Sequence, residues 1–209
     1  MERPLDTKAA LLEAAGELFA ELGFEGASVR AIAERAGTNV ASVNYHFGSK
    51  ERLYAELLQR VLLTIRGADI EEFLRPPERI ATPDGAASVV REVVRARFAS
   101  YFSDTHPSWY RRLVMRSLIE PSAVLQRLMR DVFVPEHAAL SRVFRGVNPS
   151  LTEEEISLFS FTLTGQIAFF GFAEIPILAI LGRDRYDGAF LEAAADHVAT
   201  SVIAALGLK

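Results

Sequence analysis

Cysteine is absent from all 209 residues, which excludes a disulfide framework and thiolate metal ligation. It also fits a reducing compartment, so a cytoplasmic protein is expected. No sign of charge dominates: 23 basic against 27 acidic residues leave a formal net charge of -4, too acidic for a generally basic, polyanion-binding surface. The four histidines, His46, His106, His137 and His197, are scattered and form no HExxH pair. No G-x-S-x-G elbow, Walker A loop or G-x-G-x-x-G turn occurs. Gly48-Ser49-Lys50 lacks the earlier glycine of a phosphate loop, and Glu153, Glu154 and Glu155 fit the positive end of a helix better than a metal site. These gaps argue against an enzyme, and no metal or cofactor is expected. The first residues show no basic stretch followed by an apolar run, so no secretory leader is expected either.

Helix-forming pattern is abundant. Half of the residues are hydrophobic, enough to bury a sizeable core in a chain of this length. Residues 28–54, SVRAIAERAGTNVASVNYHFGSKERLY, read as two short helices around a glycine turn with a third helix starting at once. Val29, Ile32 and Ala33 mark one apolar face that stops at Gly37, where a left-handed residue is favoured. Asn39 suits the N-cap of the next helix, in which Val40, Val43 and Phe47 are expected to face inward and Ser42, Asn44, Tyr45 and His46 to offer polar groups. Gly48 ends it. Ser49 can cap a longer helix over 51–66 with Leu53, Tyr54, Leu57, Leu58, Val61 and Ile65 as its buried stripe. A preceding helix over 7–22, with Leu12, Ala15, Phe19 and Leu22 at helical spacing, completes a three-helix core. Two short helices at a glycine turn are the usual form of a DNA-gripping unit. Residues 28–52 carry four basic side chains, Arg30, Arg35, Lys50 and Arg52, against Glu34 and Glu51. That footprint is modest, and dimerisation would double the phosphate contacts.

Over residues 8–60 the chain resembles the TetR family of bacterial one-component transcription regulators, through AGELFAELGFEGASVRAIAERAG followed by NYHFGSKERLY. The resemblance implies a sequence-specific DNA-binding regulator, a repressor released by a small apolar or aromatic ligand, working as a homodimer on a pseudo-palindromic double-stranded operator. It implies that the short third helix enters the major groove, with Val40, Ala41, Ser42 and Asn44 nearest the base edges. Asn44 could pair with an adenine, and Val40 or Ala41 could touch a thymine methyl. Many members have tyrosine where this chain has Asn44, so a phosphate contact is not carried over to that position. Asn39 opens the helix, Tyr45 and His46 fall to phosphate contact or packing, Arg30 reaches in from the groove edge, and Lys50 meets the backbone. The expected fold is all-α with about nine helices: a helix-turn-helix domain over 1–50 and a larger ligand-binding and dimerisation domain over 51–209, joined by the helix over 51–66. A ligand-binding helical dimer without DNA function, or an activator, is the alternative.

Beyond residue 66 a proline-rich stretch with Gly85 reads as a loop, followed by helices over 86–103, 109–119, 123–144, a long one capped by Thr152, and 189–206. Pro135 should kink or split the third of these near Phe133. Thr152 and Glu155 form a capping box, with Leu151 and Ile156 at staple positions. The run from Leu158 to Leu181 is long enough for a membrane span, but Ser160, Thr162, Thr164, Gln166, Glu174 and Pro176 interrupt it and no basic cluster flanks it, so no membrane is expected. Burial against a second subunit fits the same composition. Small residues in the last helix permit close approach, and Phe161, Ile167, Leu191, Ala194, Ala195, Val198 and Val202 are the candidate dimer contacts. Phe98, Tyr101, Phe102, Trp109, Met115, Phe133, Phe169 and Phe172 are candidates for lining an apolar effector pocket; aromatics at this spacing more often form a filled core. Arg112, Arg116, Glu120, His137 and Glu174 are charged groups that could orient a ligand or be solvated. The segment RRLVMRSLIEPSAVLQRLMRDVFVPEHAAL also resembles the C-terminal domain of the CecR-type subgroup.

Overall fold

A computed structural model describes residues 4–120 and 122–208, with side chains from residue 7. Twelve α-helices are present among them: α1 Pro4–Gly26, α2 Val29–Arg35, α3 Val40–Phe47, α4 Lys50–Arg66, α5 Ile70–Phe73, α6 Pro83–Tyr101, α7 Trp109–Ile119, α8 Ala123–Leu128, α9 Val134–Val147, α10 Glu153–Phe172, α11 Glu174–Leu181 and α12 Gly188–Ala205. The all-α expectation holds. The three helices beyond the expected nine come from the four-residue α5 and from two splits. Met129–Phe133 form a π turn between α8 and α9, with Pro135 in the first turn of α9, where its missing N–H costs nothing. The run after Thr152 breaks at Ala173 into α10 and α11.

The chain forms two compact units, residues 1–65 with 104–131, and residues 66–103 with 132–209. In the first, α1 packs on α2, α3 and α7. Leu11, Ala15 and Phe19 of α1 are fully buried with Ile32, Val43, Leu53 and Leu58, whereas Leu22, expected inside, is 46% exposed. Gly23, at φ 76, breaks helical geometry one residue on. Phe19, Phe24 and Tyr54 form an aromatic cluster, with ring centroids of Phe19 and Tyr54 4.9 Å apart.

Helix α7 is fastened to α1 by Trp109, whose indole N–H donates to Glu13 at 2.7 Å. A Cβ on Gly16 would lie 2.2 Å from the Trp109 ring, so this crossing requires glycine. Gly16→Ala is expected to destabilise the protein by about 1–3 kcal/mol, read as a lower urea midpoint, because the indole must leave its seat. Arg116 of α7 donates to the Glu21 carbonyl at 2.9 Å and pairs with Glu120 at 3.0 Å. Both charges thus serve α7 and its neighbour α1.

In the second unit α6 is the central helix, buried along Val89, Val90, Val93, Val94 and Phe98 and packed against α9 and α12. Helix α10 packs on α9 and α12, and its N-terminus carries the full Thr152–Glu155 capping box. Arg97 of α6 donates to Glu136 of α9 at 2.7 Å, with side chains 14% and 9% exposed. Burial pushes the Arg97 guanidinium below its ordinary pKa, and the Glu136 carboxylate opposes that shift by its charge and its hydrogen bond.

Candidate nucleic-acid interface

The turn between α2 and α3 is built locally. Ser28 caps α2 by accepting from the Ala31 N–H at 3.1 Å, and Gly37 takes φ 66 to reverse the chain. Asn39 Oδ1 then caps α3, accepting the Ser42 N–H at 3.0 Å. Gly48 ends α3 at φ 79, and Ser49 Oγ accepts the Arg52 N–H at 3.3 Å to open α4. Val43 and Phe47 are buried and hold α3 in place; α3 therefore has one committed face.

Its other face is open. Asn39, Ala41 and Asn44 are exposed, and Tyr45 is 84% exposed. Val40, expected to face inward as well as to touch DNA, is 41% exposed: as the first residue of α3 it has no preceding turn to cover it. Ser42 and His46 are half-buried, with the His46 ring against Tyr45 and Phe47 at 5.0 and 6.2 Å. Arg30 is exposed on α2 and makes no ion pair among the described residues. Lys50 is half-buried, its ammonium 4.5 Å from the centre of the Phe24 ring, so it sits at the first turn of α4 on an aromatic face. Arg35, counted in the local basic surplus, donates to Glu17 at 2.7 Å. Lys8, outside the motif, is paired with Glu56 at 2.7 Å and lies over the Phe47 ring.

Comparison with known proteins agrees with this geometry. Residues 11–57 match the bacterial regulatory proteins of the tetR family, and residues 86–206 match the C-terminal domain of the HTH-type transcriptional dual regulator CecR. The chain belongs to the TetR family, with a CecR-type C-terminal domain. A CecR of Shigella flexneri is 28% identical over 185 residues, covering 86% of this chain and 82% of that one. The crystal structure of HlyIIR, a hemolysin II transcriptional regulator, has a TM-score of 0.66 at 21% identity and covers 99% of this chain and 100% of its own. A transcriptional regulator from Rhodococcus sp. Rha1 has a TM-score of 0.63 at 22% identity, covering 95% and 96%. This TetR-family protein is a DNA-binding transcriptional regulator.

The residues read as an effector pocket do not come together as one lining. Trp109 and Met115 belong to the first unit, the former spent on Glu13 and the latter half-buried. In the second unit Phe98, Tyr101 and Phe102 are buried, and Phe98 and Phe102 join Phe170, Tyr186 and Phe190 in a chain of ring contacts. Phe133 is half-buried, and Phe169 and Phe172 point outward at 57% and 64% exposure. An open cavity of 570 Å³ lies between α6 and α12, lined by Arg95, Phe98, Ala99, Gly188, Leu191, Glu192, Ala195 and Asp196. Of the expected lining only Phe98 reaches it. Arg95 donates to Asp196 at 2.6 Å across its rim and holds that carboxyl below its usual range.

The residues read as dimer contacts in the TetR-family regulator fall into a buried and an exposed group. Ile167, Ala194, Ala195, Val198 and Val202 are buried within the subunit, where α12 packs on α6 and α10, and offer no surface to a partner. Phe161 is open at 69%, and Leu191 is half-buried on the cavity side. Leu158, Phe169 and Phe172 share the exposed flank of α10 with Phe161, and Ile175 and Ile180 continue it on α11. Glu153–Phe172 is the one helix among the described residues long and apolar enough to cross a membrane.

Proposed function

We propose that this regulator is a cytoplasmic homodimeric repressor that reads a pseudo-palindromic operator with α3 and leaves it when a small apolar or aromatic effector binds the second unit. The open face of α3, with Val40, Ala41, Asn44 and Tyr45 exposed while Val43 and Phe47 anchor the opposite side, carries the reading. Asn44 has the paired donor and acceptor that match adenine in the major groove, and Val40 or Ala41 offers an apolar contact to a thymine methyl. Arg30, Tyr45 and Lys50 supply backbone contacts, and Asn39 and His46 hold the helix and its edge.

Dimerisation uses the exposed flank of α10, Leu158, Phe161, Phe169 and Phe172, against the small exposed residues of α12, Ala193, Ser201 and Ala204. Bulky side chains of one copy then fill the shallow track of the other. Two heads must meet successive major grooves about 34 Å apart, so an effector that favours a different head spacing releases DNA. The 570 Å³ cavity beside α12 is large enough for a drug-sized molecule. Repression agrees with the AcnR repressor of Corynebacterium efficiens, 34% identical over 86 residues. Activation is the second reading, favoured by the dual-regulator name of the Shigella relative.

Arg30→Ala and Asn44→Ala are each expected to weaken specific operator binding by about 1–3 kcal/mol in a mobility-shift titration at fixed salt, with the circular dichroism of the folded dimer retained. Operator affinity equal to that of the unaltered protein for both variants rules out α3 and α2 as the reading elements.

A further inference from the structure

The hydroxyl of Ser42 is held from two sides. Asn39 Oδ1, which accepts the Ser42 backbone N–H, also lies 3.3 Å from Ser42 Oγ. An amide oxygen can only accept, so the Ser42 O–H donates to it. Thr38 Oγ1 lies 2.8 Å from Ser42 Oγ. That contact can run either way; with Thr38 as its donor both contacts are made at once, the Ser42 proton going to Asn39 Oδ1. A hydroxyl also has two lone pairs, and Thr38 occupies one. In that arrangement Ser42, half-buried near the start of α3, keeps a single free lone pair and no free proton.

We propose that Thr38 and Asn39 lock Ser42 as an acceptor-only reader, specific for an exocyclic amino group in the major groove, adenine N6 or cytosine N4. Thr38 is the positioning residue. Phosphate oxygens and the keto groups of guanine and thymine only accept, so none of them can bond to Ser42 while the lock is closed. The proposal rests on α3 being the DNA-reading helix and adds a selectivity that the open face alone does not contain. The exposed neighbour Ala41 has no bulk to keep a base edge from the short serine side chain.

The test uses the full-length dimer and a duplex selected by it from genomic DNA. Single base-pair replacements are compared for the unaltered protein and for Ser42→Ala, to find the pair that serine reads. At that pair the amino group is then deleted alone, by purine for adenine or 2-pyrimidinone for cytosine. The unaltered protein should lose up to about 10-fold in affinity, and Ser42→Ala should be indifferent to the deletion. Thr38→Val should reduce the discrimination at this pair by about 3-fold or more, and Thr38→Ser, which keeps the hydroxyl, should retain it. Full discrimination by Thr38→Val overturns the lock. A salt slope lowered by about one unit in Ser42→Ala, with equal loss on every duplex, overturns base reading in favour of a phosphate contact. Recovery of no preferred duplex overturns the DNA-reading assignment of α3 itself, a result distinct from both.

Discussion

Phe161→Glu should convert the dimer to monomers and lower operator affinity by about 100-fold or more, seen by sedimentation and by mobility shift on the same preparations. Phe161 is 69% exposed in the middle of the apolar flank of α10, beside Leu158, Phe169 and Phe172. Large apolar side chains gathered on one flank mark an interaction surface. In the proposed dimer a carboxylate there would be buried unpaired, yet in the monomer it stays in water, so the substitution penalises association and spares the fold. The loss on DNA follows from valency. Two linked heads bind one operator with an avidity about 10² to 10⁴ above that of either head alone. The local charge makes this dependence severe, since Arg35 is committed to Glu17 and only Arg30, Lys50 and Arg52 remain as basic groups of the motif. An unchanged sedimentation profile together with unchanged operator affinity would place the dimer contact elsewhere.

The second large effect concerns stability. Arg97→Met should destabilise the protein by about 3–5 kcal/mol in urea unfolding, because Glu136, 9% exposed, is left as a buried carboxylate without its partner. Arg97→Met combined with Glu136→Leu should recover most of that loss. Both charges are then gone, and an apolar pair of similar volume packs between α6 and α9. A single-variant loss below about 1 kcal/mol would show that the pair is solvated and worth no more than a surface bridge.

The parts of the fold legible in sequence are those written into short stretches. Gly37, Asn39, Gly48 and Ser49 punctuate α2, α3 and α4 because turns and caps depend on residues three or four apart, and the Thr152–Glu155 box is legible for the same reason. Facing is harder to read where a helix is apolar on several sides. Helix α12 carries alanine nearly all round, so its sequence does not say that Ala194, Ala195, Val198 and Val202 turn inward while Ala193 and Ala204 stay out. Helix α10 poses the same difficulty with phenylalanine: Phe169 and Phe172, read as pocket lining, are exposed on the same flank as Phe161, read as a dimer contact. Trp109 resembles the other pocket candidates by composition, but its place is fixed by Glu13 and Gly16, almost a hundred residues away, which no periodicity connects. The interface showed the reverse. Its candidates sit in one short segment, and what the sequence hid was a hydroxyl network from Thr38 to Ser42 that depends on side-chain rotamers.

Selection of genomic fragments by the full-length protein, followed by a salt titration on the best fragment, tests the DNA-reading function most directly. The expected result is enrichment of fragments sharing an inverted repeat with half-sites about one helical turn apart, ~34 Å, and an affinity that falls linearly on a log–log plot of salt. Recovery of fragments with no common sequence, bound no better than scrambled duplex and without salt dependence, would contradict it.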